Sequence, residues 1–206
     1  MGKPILGYPI EAALESGLFE TVMVSTDSEK IASIAKDLGA EVPFYRSQEA
    51  SNDHATTADA LTEVLLQYSE KGRTFDNACC CYPASPFITA AKLQTAYELL
   101  IKHKADAVIP IVEYATPIFR AFEMNDHKVR FLWPEYTKSR SQDLPPTYFD
   151  AGQFYFFGTQ GFLRKGHFLT DNTVGMPLPA SEAEDIDTED DWKLAELKYS
   201  IWQDAL

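Results

Sequence analysis

Asp185 and Asp187 stand two residues apart in the acidic segment Glu184-Asp185-Ile186-Asp187-Thr188-Glu189-Asp190-Asp191-Trp192. Alternate side chains of an extended segment point the same way, so this spacing can aim both carboxylates at one point while Ile186 turns into packing. A hard cation such as Mg²⁺ takes oxygen ligands and sheds water reluctantly. It is often held by one or two carboxylates, with water and phosphate oxygens completing the shell. The pair therefore offers half of a site for a metal that also binds phosphates. A structural role competes with this: Thr188 can cap a helix, Asp191 lies three residues on, and negative charge is favoured at a helix N-terminus. Capping falls on Thr188 and the residues after it, which leaves Asp185 and Asp187 available for another task.

The elements that must position these carboxylates can be read from periodicity. Thr21 to Ser25 is a short β-branched run, and the residues after Asp27 carry Ile31, Ile34, Ala35 and Leu38 on one helical face, closed by Gly39. Glu41 to Phe44 predicts a second short strand. A polar loop from Tyr45 to Thr56 then leads into a helix with Ala58, Leu61, Leu65 and Tyr68 inward. Asn77 to Cys81 predicts a buried strand, a helix from about Ala90 carries Leu93, Ala96, Tyr97 and Leu100, and Ala107 to Ile111 is a third apolar strand. Gln153 to Phe157 returns to strand character, Phe162 falls in a short helix, and Asp190 to Trp202 predicts a final helix with Trp192, Ala195 and Tyr199 inward. Strands alternating with helices predict a parallel sheet covered on both faces, with ligands beyond the carboxyl ends of the strands.

Between Thr116 and Phe149 this rhythm stops. Pro117, Pro134, Pro145 and Pro146, a turn expected at Asn125-Asp126, and seven aromatics from Phe119 to Phe149 predict an inserted hairpin arm or a lid.

Composition narrows the function classes. A chain of 206 residues, 45% hydrophobic, fits one domain with a packed core. Its net charge of −13 disfavours nucleic acid as a partner, although screening over about 8 Å lets a local group of cations or a metal hold phosphate. No apolar run is long enough to span a bilayer, and the N-terminus lacks the basic-then-apolar order of a signal peptide. The expectation is a soluble, cytoplasmic chain with no membrane partner. The cysteines are consecutive, Cys79, Cys80 and Cys81. Strand neighbours face opposite sides, which suits small core residues in a reducing compartment rather than a disulfide or a tetrahedral metal site.

Taken together, Gly2-Lys3-Pro4-Ile5-Leu6, the stretch Ile10 to Asp27, Ala40-Glu41-Val42-Pro43-Phe44, Tyr82 to Pro86, Arg140 to Pro145 and Asp185-Ile186-Asp187-Thr188 resemble the cytidylyltransferases that activate sialic acids and related nonulosonic acids. The resemblance covers essentially the whole chain. Arg140-Ser141-Gln142-Asp143-Leu144 and Asp150-Ala151-Gly152-Gln153-Phe154-Tyr155 are most similar to the pseudaminic acid branch. It implies an α/β fold: a three-layer Rossmann-like nucleotidyltransferase, GT-A-like, with a mainly parallel sheet and a protruding hairpin dimerisation arm over residues 116–149 of one domain spanning residues 1–206. It also implies a homodimer with the arm reaching into the neighbour's site.

The implied reaction joins CTP to a nonulosonic acid, giving a CMP-sugar and pyrophosphate, by in-line attack of the anomeric hydroxyl on the α-phosphate with Mg²⁺ present. Asp185 and Asp187 would be the metal carboxylates. Arg46, Ala55 and Thr57 would contact the nucleotide, although Thr56 or Thr57 is equally suited to cap the following helix and Arg46 to be a solvated loop charge. Tyr82, Ser85, Arg140, Gln142 and Tyr155 would contact the sugar acid, with Arg140 suited to bidentate pairing with its carboxylate or to an ion pair within the arm. Tyr82 and Ala151 stand where the sialic acid branch commonly has amide side chains, which favours a less hydroxylated sugar. Enzymes of this type carry a strand and a glycine-rich, basic, triphosphate-wrapping turn before the stretch that here starts at Gly2. No such turn occurs in this sequence, so the resemblance implies weakened CTP binding and stability for the chain as written. The alternatives are a sialic or legionaminic acid synthetase, a GT-A-like glycosyltransferase, and a non-catalytic dimer partner.

Overall fold

The computed structural model describes residues 2–204. Six α-helices are found among them: α1 (Gly7–Ser16), α2 (Glu29–Asp37), α3 (Thr57–Glu70), α4 (Ala90–His103), α5 (Thr159–Lys165) and α6 (Glu189–Gln203). The seven strands are β1 (Asn77–Cys81), β2 (Ala107–Glu113), β3 (Phe122–Asn125), β4 (Lys128–Phe131), β5 (Tyr148–Asp150), β6 (Phe154–Gly158) and β7 (Thr173–Leu178). Alternation along the strands builds two cores. On one face Phe154, Phe156 and Val108 meet Ala12 and Ala13 of α1 and Leu93, Ala96 and Leu100 of α4. On the other, Ala107 and Phe157 meet Phe162 of α5, with Ala58, Leu61 and Leu65 of α3 packed against them. This is the expected three-layer α/β arrangement.

The expectation of a mainly parallel sheet is overturned. β1 pairs antiparallel with β6, β2 pairs antiparallel with β6 and β5, and only β7 runs parallel to β2. The crossover logic itself holds, because β1 and β2 both oppose β6 and so run in the same direction on either side of it. The returning chain after the arm occupies the place between them. Thr21 to Ser25 and Glu41 to Phe44 are extended but pair only through a parallel bridge from Met23 to Glu41. Their apolar side chains Val22, Val24 and Val42 pack around Ile10 and Ala35.

The inserted segment forms its own two-stranded sheet from β3 and β4. Its tight turn lies one residue beyond the expected place, at Asp126 and His127 with φ 46 and 61. This double left-handed geometry matches the right-handed twist of a hairpin. The three cysteines are free and split between faces as strand neighbours should: Cys79 and Cys81 pack beside α1 and α4, and Cys80 on the opposite face. Burial pushes the Cys80 thiol up to about 12. One inward expectation fails on α6. Ala195 and Tyr199 are buried but Trp192 is 41% exposed, because the partners of this helix, Tyr8 and Phe87, meet it at Tyr199, with Trp202 completing the Phe87 contact further along.

Candidate active site

The site forms where β5 and β6 are interrupted. Pro110 of β2 has no N–H to give to a ladder, and opposite it the neighbouring strand breaks: Ala151 donates its N–H to the Pro110 carbonyl at 3.0 Å, and Gly152 turns the chain at φ 62. Only glycine adopts that conformation without strain. The turn aims Asp150 outward, with Oδ1 accepting from the Gly152 N–H at 2.9 Å and Oδ2 from the Tyr155 hydroxyl at 2.7 Å. Burial, then the bond to Asp150, push the Tyr155 phenol well above its ordinary value. It therefore stays protonated and donates.

The Tyr82 backbone N–H bonds to the Gln153 carbonyl at 2.8 Å, and its ring meets the Tyr155 ring edge-on at 5.5 Å. Its hydroxyl lies 3.0 Å from Thr57 Oγ1. The choice left open in the sequence is thereby resolved: Thr56 caps α3 in a reciprocal box with Asp59, which releases the Thr57 hydroxyl toward Tyr82. Ala58, Tyr82, Ile109, Asp150, Tyr155 and Phe168 line a cavity of about 240 Å³, with His167 and Leu169 at its wall. Ser85 is buried beneath, donating to the Gly152 carbonyl at 3.4 Å. In the loop before α3, Arg46 donates from Nε to Ser25 Oγ at 3.0 Å, and its backbone N–H bonds to Thr26. The guanidinium is half-buried at that loop rather than solvated, and the Ala55 N–H is turned onto the Asn52 carbonyl.

In the acidic segment, alternation separates carboxylates by role. Glu182 pairs with Lys92 of α4 at 2.7 Å, and Glu184 with Lys198 of α6 at 2.6 Å. Lys198 also donates to the carbonyls of Ala180 and Ala183, while the Gln153 amide donates to that of Glu182. The segment is thus tied to two helices and to the turn between β5 and β6. Asp185 and Asp187 are exposed, Ile186 between them is half-buried, and among the described residues neither aspartate has an ion-pair partner. Thr188 caps α6 with Asp191 in a reciprocal box, so the helix start does not need the pair. Burial, then the charges of Asp187, Asp191, Glu184 and Asp150, hold the Asp185 carboxyl above the ordinary range. A Cβ built on Gly152 would lie 3.9 Å from Asp185 Oδ1, so the Asp185 carboxylate adjoins the strand break.

These oxygens suit a hard cation: they are unpaired, close enough to repel, and anchored from behind. Among the described residues no group of three or more His, Cys, Asp or Glu side chains surrounds one point. A cation held by Asp185 and Asp187 would therefore need water or ligand oxygens for the rest of its shell.

The structure brings Thr57, Tyr82, Ser85, Tyr155 and Asp185 to one region, but Arg140 and Gln142 lie exposed in the arm segment. Arg140 makes the arm ion pair that is the alternative to binding the sugar carboxylate, to Asp143 at 2.7 and 3.0 Å. Asp150, Ile109, Phe168 and His167 are cavity residues that nothing local in the sequence singles out; the place of Asp150 depends on the turn at Gly152 and on Ala151 bonding across to Pro110.

Solved structures share this α/β fold. A CMP:2-keto-3-deoxy-manno-octonic acid synthetase complexed with CTP matches with TM-score 0.65 and 15% identity over 99% of this chain and 90% of its own. A 4-diphosphocytidyl-2C-methyl-D-erythritol synthase matches with TM-score 0.63 and 12% identity over 95% and 88%. Residues 1–169 match the cytidylyltransferase family. A pseudaminic acid cytidylyltransferase of Campylobacter jejuni is 33% identical over 98% of this chain and 87% of its own length. A CMP-N,N'-diacetyllegionaminic acid synthase of Legionella pneumophila is 29% identical over 100% and 89%. The chain belongs to the cytidylyltransferase family and is a nucleotidyltransferase enzyme.

Proposed function

We infer that this chain transfers CMP from CTP to the anomeric hydroxyl of a nonulosonic acid, pseudaminic acid in particular, releasing pyrophosphate. The observation that carries the reading is the exposed Asp185, with Asp187 two residues on, beside the β5–β6 break that borders a mostly apolar cavity. Similarity to pseudaminic acid cytidylyltransferases over nearly the whole chain supports the sugar class. The relatives named for N-acylneuraminate and diacetyllegionaminic acid are less identical, at 29%. Family membership favours this reading over a glycosyltransferase.

Asp185 and Asp187 would hold Mg²⁺, which would neutralise charge on the phosphates. Thr57 and Ala55 at the start of α3, with Arg46 beside them, receive the nucleoside, and Tyr82, Ser85 and Tyr155 shape the sugar-acid pocket. Holding both substrates in one frame lowers the entropic part of the barrier. The lysines behind Glu182 and Glu184 keep those carboxylates from competing for the cation. The arm is proposed to pair with a second copy through Phe122, Met124 and Val129, which are 55, 70 and 60% exposed. Arg140 would then act at the partner's site.

Incubating the full-length protein with CTP, Mg²⁺ and pseudaminic acid, and following CMP-sugar and pyrophosphate by ³¹P NMR, tests the reading. Transfer of sugar to an acceptor without pyrophosphate release would defeat it. Sedimentation showing only monomer would remove the dimer.

A further inference from the structure

We propose that Asp150 is a specificity-determining residue that accepts the N–H of an acylamino group on the sugar acid. This rests on the cavity being the sugar-acid pocket. Among the described residues Asp150 is the one carboxylate lining that cavity, whose other walls include Ala58, Ile109, Phe168 and Leu169. Both of its oxygens are already oriented, by the Gly152 N–H at 2.9 Å and by the Tyr155 hydroxyl at 2.7 Å. A carboxylate has about four acceptor sites, so two contacts leave capacity for a ligand.

The charge of Asp150 selects the kind of group that can approach. The sugar's own carboxylate would meet Asp150, with Asp185 near enough to feel the same field, and must lie elsewhere. A hydroxyl could donate to Asp150 but would leave the aliphatic and aromatic walls unfilled. An acylamino group satisfies both: its N–H donates to the carboxylate, and its methyl fills apolar space. Fixed, charge-assisted hydrogen bonds of this kind are the strong ones, and a pocket built around one rejects ligands lacking the donor. Tyr155 acts as a positioning residue here, since its protonated hydroxyl sets the direction in which Asp150 points.

The test compares wild type, Asp150→Ala and Tyr155→Phe in the full-length protein, with CTP held saturating and then varied. Two sugar acids are used, one acylamino-bearing and one deoxy analogue with hydrogen in its place. The assignment predicts that Asp150→Ala raises KM for the acylamino substrate about 10- to 100-fold, leaves KM for CTP within about twofold, and costs little with the deoxy analogue, which has no donor to lose. Tyr155→Phe should shift the same KM in the same direction by less, and carries the test if Asp150→Ala does not fold. Equal losses on both sugar acids, or a change confined to CTP or to the Mg²⁺ requirement, would overturn the assignment while leaving the proposed activity standing. A wild-type protein that forms no CMP-sugar overturns both.

Discussion

The Tyr82 hydroxyl lies 3.0 Å from Thr57 Oγ1, joining the first residue of α3 to the wall of the cavity. Replacing Tyr82 with Phe keeps the ring contact with Tyr155 and removes this link. KM for CTP and for the sugar acid should then both rise several-fold, while stability falls by only about 1 kcal/mol, the net value of one hydrogen bond. A change in one KM alone would show that the contact does not couple the two halves.

Thr188 and Asp191 close a reciprocal cap at the start of α6. Thr188→Ala should lower unfolding free energy by about 1 kcal/mol in urea titrations, with kcat nearly unchanged under conditions where the protein remains folded.

Asp185 should behave in the opposite way. Its raised pKa means that the folded state binds the proton more tightly than the unfolded state does. The stability linked to this group is therefore full below the ordinary carboxylate range and is lost as pH rises through the raised value. Asp185→Asn removes that loss. Without metal at neutral pH the variant should melt at or above the wild-type temperature, the difference should shrink in acid, and turnover should collapse. A large drop in melting temperature with little kinetic effect would assign Asp185 a structural role.

Lys198 reaches across to Glu184 and to the carbonyls of Ala180 and Ala183 just before it. Lys198→Met strands a mostly buried carboxylate beside Asp185 and should cost about 1–3 kcal/mol. Mn²⁺ binding followed by electron paramagnetic resonance should weaken as well, because the tether and the neighbouring charge both change. Lys198→Arg should restore part of each. Lost stability with unchanged Mn²⁺ binding would confine Lys198 to the fold.

Much of this was legible in the sequence where one local rule decided the outcome. The α6 cap, the outward placement of Asp185 and Asp187 around Ile186, and the strands at Asn77 and Ala107 follow from capping chemistry and alternation. Strand direction was not legible, because inserting β6 between β1 and β2 depends on where the chain returns after the arm. α1 and β7 were missed for a local reason: α1 contains Gly7 and Pro9 and β7 contains Gly175 and Pro177, residues disfavoured in such elements. Gly175 leaves room for Ile111, whose Cδ1 would stand 2.6 Å from a Cβ there and would have to shift to admit one. Asp150 was hidden because its role appears only when Gly152, Tyr155 and Pro110 are seen together. Arg140 shows the converse: a residue type suited to binding carboxylate found one three residues away.

The most direct measurement offers the full-length protein CTP, Mg²⁺ and a mixture of pseudaminic acid and N-acetylneuraminic acid, and identifies the products by mass spectrometry. CMP-pseudaminic acid is expected as the dominant product with stoichiometric pyrophosphate, and is expected to be lost in Asp187→Asn. A preference for N-acetylneuraminic acid would contradict the substrate assignment, and undiminished turnover in Asp187→Asn would contradict the placement of the reaction beside the acidic pair.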